Sequence, residues 1–106
     1  ILRLMNGALE RIAQARGAIQ YERIDQKGEY ISKAISIIGG LSDCLDHSQP
    51  GDLSENLSLL YQYMSITLSE ANISNDSDKL EEVSRLLLEI KSAWVQLPQL
   101  TGGHAV

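Results

Sequence analysis

The chain has 106 residues, 43% of them hydrophobic, and a formal net charge of −5, which indicates one globular domain rather than a disordered chain. Its Lys and Arg residues are scattered, and this argues against nucleic-acid binding, because proteins that bind phosphate backbones cluster their basic residues. No apolar run approaches the ~20 residues that span a bilayer, so no membrane insertion is expected, and the single Cys44 is typical of a reducing compartment such as the cytosol.

The first predicted element is a helix from Ile1 to about Tyr21. Apolar residues recur in it at steps of three and four, as on one face of a helix: Leu2, Met5, Leu9, Ile12 and Ile19. Ile1 stands inside this pattern with no capping residue before it, so we expect the natural chain to begin upstream. The short polar segment 22–26 then makes the first two helices antiparallel neighbours.

The second predicted helix runs from about Gln26 to Leu45, with Asp25 as the expected N-cap. Its central stripe has the same helical spacing and consists of Ile31, Ala34, Ile38, Leu41 and Leu45. Ile35 lies on one flank of this stripe and Ile37 on the other.

A pair of glycines, Gly39 and Gly40, lies inside the second helix. Two glycines in a helix interior cost about 2 kcal/mol of helix propensity, so they need a structural reason. The pair indicates either a kink or a place where another backbone approaches closely, and both interpretations remain open at this point.

The third predicted helix follows the turn pair Pro50-Gly51, with Asp52 and Glu55 spaced as in a variant of the capping box. Tyr61 lies at the edge of its core stripe, which consists of Leu53, Leu57, Leu60, Met64, Leu68 and Ala71. A second apolar set lies about 150° around the helix from the first and consists of Leu59, Tyr63, Ile66 and Ile73. A bundle helix buries one stripe, so the second stripe requires another contact.

The fourth predicted helix begins at a cap formed by Ser77 or Asp78 and runs to about Leu97, where Pro98 ends the regular pattern. Its core stripe consists of Leu80, Val83, Leu87, Ile90, Trp94 and Leu97, while Leu88 and Val95 point away from it. Residues 1–98 are therefore expected to form the domain, and residues 99–106 a flexible tail.

Four helices of similar length joined by short links predict an all-α fold, an antiparallel up-down-up-down four-helix bundle. The sequence has no Glu-x-x-His pair for a bundle metal site, no glycine-rich phosphate loop and no nucleophile elbow. Its histidines, His47 and His104, are expected in a loop and in the tail. We therefore expect no enzymatic activity, no metal and no cofactor.

The surplus apolar residues are the candidate partner-binding site, and an amphipathic helix laid into a groove is the expected partner. They are Ile35, Ile37, Leu59, Tyr63, Ile66, Leu88 and Val95. Two alternatives remain open: these residues lie in the core because the helical arcs are misregistered, or they cover one another in a structural or regulatory homodimer.

The order and spacing of several segments resemble one family, the flagellin-specific export chaperones called FliS. The segment 4–16 resembles the end of the family's first-helix signature, and Ser32-Lys33-Ala34 with the residues up to Leu45-Asp46 resembles its second. The segment 53–64, with Leu60-Tyr61 and Tyr63-Met64, is similar to the family's most characteristic stretch. Matches from Ala71-Asn72 to Ala93-Trp94 extend the resemblance over nearly the whole chain.

The resemblance implies a cytoplasmic four-helix bundle without catalysis or cofactor. Such a chaperone binds the disordered C-terminal segment of new flagellin, prevents premature polymerisation and delivers its client to the flagellar type III export apparatus. Export-gate components are a further expected partner, and the protein itself is expected to be a monomer or a weak homodimer. The family's segment before the first helix, which can cover the client-binding surface, does not occur in this sequence.

Overall fold

The computed structural model describes residues 1–48 and 51–100, with side chains as far as Gln96, and these residues form four α-helices. Helix α1 spans Leu2–Gln20, α2 Ile24–Asp43, α3 Leu53–Ser74 and α4 Ser77–Leu100. Helices α1 and α3 each pack against both α2 and α4, so the four helices close into a ring around one core. The predicted all-α four-helix bundle is confirmed.

Contacts between neighbouring helices show that successive helices run in opposite directions. Lys27, near the start of α2, contacts the carbonyl of Asn72 near the end of α3. Arg16, near the end of α1, lies 3.9 Å from the carboxylate of Glu81 near the start of α4. The up-down-up-down topology expected from the short links is therefore present.

The observed helix bounds differ from the predicted ones at both ends of α2 and at the end of α4. Helix α2 begins at Ile24 with Arg23 at the N-cap position, so Asp25 lies in the first turn and does not cap the helix. Helix α4 continues through Pro98 to Leu100. Pro98 has no N–H to donate to the carbonyl four residues earlier, that of Trp94, and Trp94 is 40% exposed. Of the expected tail at 99–106, residues 101–106 lie outside the described residues.

The helix starts of α3 and α4 are capped differently from the prediction. Asp52 occupies the N-cap position of α3, but its side chain makes no capping hydrogen bond, so the predicted capping box is not formed. At α4 the cap is Asp76 rather than Ser77 or Asp78, because Asp76 Oδ1 accepts hydrogen bonds from the backbone N–H groups of Asp78 (3.0 Å) and Lys79 (3.4 Å).

The core consists of the central turns of all four predicted stripes. Its largest fully buried side chains are Met5, Ile12, Ile31, Ile38, Leu41, Met64, Leu68, Leu80, Val83 and Leu87. Three residues expected in the core are exposed instead: Leu2 to 39%, Leu53 to 73% and Trp94 to 40%. Each lies near a helix end, where fewer neighbouring turns cover it. Tyr61, expected at the edge, is 4% exposed and belongs to the core.

Candidate partner-binding surface

Five of the seven candidate binding residues are exposed in the structure. Leu59 is 58% exposed, Tyr63 45%, Ile66 60%, Leu88 49% and Val95 47%. The alternative in which misregistered arcs place these side chains in the core is therefore wrong for these five. Their role in binding stays a prediction.

The other two candidates, Ile35 and Ile37, are half-buried and pack against the core. Ile37 faces α1: a Cβ added to Gly7 would lie 3.6 Å from its Cδ1 atom. It also lines a hollow of about 500 Å³ between α1 and α2, beside Arg11 and Lys33. The expectation that both residues are surplus surface is corrected, because the packing of α2 against its neighbours covers much of each side chain.

The exposed candidates form two surfaces on different sides of the bundle. Leu88 and Val95 lie one and two heptads after Glu81, so they share its side of α4, and Glu81 faces Arg16 of α1. Glu82, which is turned away from that line, faces α3. We call Leu88 and Val95 the α4 surface. The α3 surface consists of Leu59, Tyr63, Ile66 and Ile73.

Tyr63 connects the α3 surface to α4. Its hydroxyl donates a 2.6 Å hydrogen bond to Glu82 Oε2, and this bond to a carboxylate raises the pKa of the Tyr63 phenol. The ring is thus held in place by its hydroxyl, although 45% of the residue is exposed. Tyr63 offers a fixed aromatic face at the boundary between α3 and α4.

A groove of about 340 Å³ lies between α2 and α3, on the opposite flank of the α3 surface from Tyr63. The α2–α3 groove is lined by Ile38, Gly39, Ser42, Tyr61, Gln62, Ser65 and Ile66. Ile38 and Tyr61 are buried and form its base, whereas Gly39, Gln62 and Ile66 are exposed along its walls. The base of the groove carries no charge, since Ile38 is apolar and the phenol of Tyr61 is protonated at neutral pH; burial, with a smaller electrostatic effect of Cys44, raises the pKa of the Tyr61 phenol further.

Sequence reasoning missed most of the α2–α3 groove and left Ile73 out of the candidate site. Ile73 is 86% exposed and continues the line of Leu59 and Ile66 at heptad spacing. The glycine pair was the available signal for the groove. Helix α2 is continuous through both glycines. A Cβ added to Gly40 would lie 4.0 Å from Leu4 Cδ1 of α1, while Gly39 lines the groove.

The described part of the chain has neither a metal-binding cluster nor a membrane-spanning helix. Residues 1–48 and 51–100 contain no group of three or more His, Cys, Asp or Glu side chains placed to hold a metal ion. None of their helices combines the length and the apolar character required to cross a membrane.

Comparisons with known proteins find the same family along the whole bundle. A family model described as "Flagellar protein FliS" matches residues 1–101. The flagellar secretion chaperone FliSB of Pseudomonas aeruginosa is 58% identical over 91 residues, covering 86% of this chain and 72% of that protein. The flagellar secretion chaperone FliS of Vibrio cholerae is 43% identical over 95 residues, covering 90% and 70%. The FliS of Salmonella typhimurium is 42% identical over 95 residues, covering 89% and 70%.

Proposed function

The chain belongs to the FliS family of flagellar secretion chaperones, and from this membership we propose that its client is flagellin. It binds the disordered C-terminal segment of newly made flagellin in the cytosol, keeps flagellin from polymerising early and delivers it to the flagellar type III export apparatus. Components of the export gate are its second partner. The chaperone acts by binding alone, without a cofactor or a chemical step.

The observation that carries this proposal is the exposed apolar row on α3. Leu59, Ile66 and Ile73 are 58%, 60% and 86% exposed and lie one heptad apart, so an extended apolar line faces solvent on a helix of the bundle. Single exposed apolar side chains are ordinary, but an aligned set is typical of a protein-binding surface. A client that covers this line removes it from water.

The energetics favour a client that wraps the bundle. Burying one large apolar side chain completely contributes about 1.5–3 kcal/mol, whereas ordering each residue of a disordered segment costs about 1–2 kcal/mol of backbone entropy. Such a segment must therefore cover many apolar side chains at once. The separation of the α3 and α4 surfaces suits a client that passes around the bundle and contacts both.

We expect Ile66→Asp and Leu88→Asp each to weaken binding of the C-terminal segment of flagellin by about tenfold or more, since each places a carboxylate where an apolar contact forms. Isothermal titration calorimetry measures the affinity, and circular dichroism verifies that both variants keep their helicity. The control is Ile24→Asp: Ile24 is 48% exposed at the start of α2, outside both surfaces, and this variant should bind normally.

Normal binding by both Ile66→Asp and Leu88→Asp would show that the client uses other residues.

Full-length flagellin should co-purify with the protein, and flagellin that lacks its C-terminal segment should not. Sedimentation at micromolar concentration tests the homodimer: a tight dimer that the flagellin segment leaves unchanged would contradict the proposed function and favour a structural role for the exposed residues.

A further inference from the structure

Tyr63 combines an exposed aromatic ring with an anchored hydroxyl group. The hydroxyl donates its 2.6 Å hydrogen bond to Glu82 across the boundary between α3 and α4, and the side chain of Thr67, which is 2% exposed, is its second polar neighbour. These contacts fix the orientation of the ring, although 45% of the residue is exposed. A ring that is already fixed binds a partner at a lower entropic cost than a freely rotating one.

The side of the bundle on which Tyr63 lies is acidic. We call it the α3–α4 face, and it consists of Tyr63, Glu70, Lys79, Glu82 and Glu89. The exposed Glu89 lies one heptad after Glu82 and therefore on the same side of α4. Lys79 pairs with Glu70 at 3.4 Å, whereas Glu82 and Glu89 belong to no ion pair between described residues. This face therefore has two carboxylates available to a cation from another molecule.

An aromatic ring beside a carboxylate can receive a cationic side chain. A guanidinium or ammonium group within about 6 Å of a ring centroid is attracted by the ring electrons, and a planar guanidinium can stack on the ring while its N–H groups reach a carboxylate. An ionised carboxylate accepts up to about four hydrogen bonds. Glu82 can therefore hold the Tyr63 hydroxyl and a guanidinium at the same time.

We propose that Tyr63 and Glu82 bind an arginine side chain of the client, which stacks on the exposed ring and donates hydrogen bonds to Glu82, while Glu89 adds electrostatic attraction. This inference rests on the proposed function and specifies one side chain that the flagellin segment carries to the α3–α4 face. Arginine fits better than lysine, because a compact ammonium group cannot stack flat on the ring.

A second copy of this chain is a poorer occupant of the α3–α4 face. A two-fold symmetric dimer brings the same surface of each copy together. Each copy would then place Glu82 and Glu89 against the same carboxylates of its partner, while Lys79 is already paired with Glu70. Like charges in contact oppose association, so this face favours a partner of different composition.

The charge of Glu82 is tested with Glu82→Gln, whose amide oxygen still accepts the hydrogen bond from Tyr63. Calorimetry should show an affinity for the C-terminal segment of flagellin about fivefold or more below that of the wild type at about 50 mM NaCl, and a smaller difference at about 500 mM NaCl. Glu10→Gln is the matched control. It removes one charge from an exposed residue of α1, which does not pack against α3, and it should bind as the wild type does.

The ring is tested with Tyr63→Phe and Tyr63→Leu. Both variants lose the hydrogen bond to Glu82, so the difference between them isolates the aromatic ring. We expect Tyr63→Leu to bind the flagellin segment several-fold more weakly than Tyr63→Phe, because leucine offers no ring electrons to a cation. Circular dichroism verifies that both variants keep the helicity and the melting temperature of one another.

The arginine itself is identified by a double-mutant cycle across the interface. Each arginine of the flagellin segment is replaced in turn by glutamine, and each variant is titrated into the wild-type chaperone and into Glu82→Gln. One replacement should weaken binding to the wild type about fivefold or more and change binding to Glu82→Gln by less than about twofold, because its partner charge is already absent there.

The outcomes distinguish this inference from the proposed function. If the wild type does not bind the flagellin segment, the proposed function is wrong. If the wild type binds but no arginine replacement is coupled to Glu82, or Tyr63→Phe and Tyr63→Leu bind alike, the inference is wrong and the proposed function stands. A wild-type dimer that Glu82→Gln dissociates would also overturn the inference, because the cation would then come from a second copy.

Discussion

Leu68→Ala is expected to lower the free energy of unfolding by about 2–5 kcal/mol, the range measured when a fully buried leucine is truncated. Leu68 is 0% exposed in α3, in a core cluster to which all four helices contribute. Its removal leaves a cavity that the rigid neighbouring helices fill only in part. Since a domain of this size has a total stability of about 5–15 kcal/mol, the loss is large enough to be seen in any urea titration.

Leu59→Ala is the matched control for Leu68→Ala, because it makes the same chemical change in the same helix. Leu59 is 58% exposed, so its truncation should change the free energy of unfolding by no more than about 0.5 kcal/mol. The two variants should also differ in a binding assay. Leu59→Ala should lower the affinity for the flagellin segment, whereas folded Leu68→Ala should keep it. Equal destabilisation by both variants would contradict the assignment of the two stripes of α3.

The central turns of the bundle could be predicted from the sequence, since their pattern follows directly from helix geometry. Met5, Ile38, Met64 and Leu87 all occupy positions of the predicted stripes and are all buried. A residue in a central turn is covered by neighbours on several helices, even where the helix ends differ from the predicted ones. The helical period alone therefore decides its burial.

The helix ends and the division of the candidate site could not be predicted in the same way. Asn75, at φ 54°, ends α3 in the left-handed conformation and leaves Asp76 between the two helices, where it caps α4. The spacing of apolar residues does not predict this conformation. Likewise, the periodicity places Leu88 and Ile66 outside the core, but only the order of the helices around the ring shows that they lie on different sides of the bundle.

Lys27 is a further residue whose role depends on the assembled fold. The residue is only 4% exposed, although it lies in the first two turns of α2, where the sequence alone predicts an ordinary surface lysine. Its ammonium group donates a 2.8 Å hydrogen bond to the backbone carbonyl of Asn72 and another hydrogen bond to Asn75 Oδ1. The last carbonyls of a helix carry partial negative charge, so the end of α3 itself compensates the buried cation.

This contact makes Lys27 a link between three helices. It holds the end of α3 against the start of α2, and the residue it binds, Asn75, precedes the residue that caps α4. Loss of the ammonium group removes a donor from the Asn72 carbonyl and loosens the turn that positions Asp76. The effect of a substitution should therefore extend beyond one hydrogen bond to the start of α4.

Lys27→Met is expected to lower the free energy of unfolding by about 1–3 kcal/mol, the usual loss when a partly buried polar group loses a charged partner. Methionine keeps most of the apolar stem, so the change isolates the charge and its hydrogen bonds. Lys33→Met on the same helix is the control: Lys33 makes an exposed 3.1 Å ion pair with Glu29, and such pairs contribute about 0–1 kcal/mol. Urea denaturation measures both values, and hydrogen exchange should show faster opening around Asn75 and Asp76 in Lys27→Met alone. Equal stability of the two variants would mean that the carbonyls at the end of α3 are satisfied by water, and that the buried ammonium group adds nothing to the packing of α2, α3 and α4.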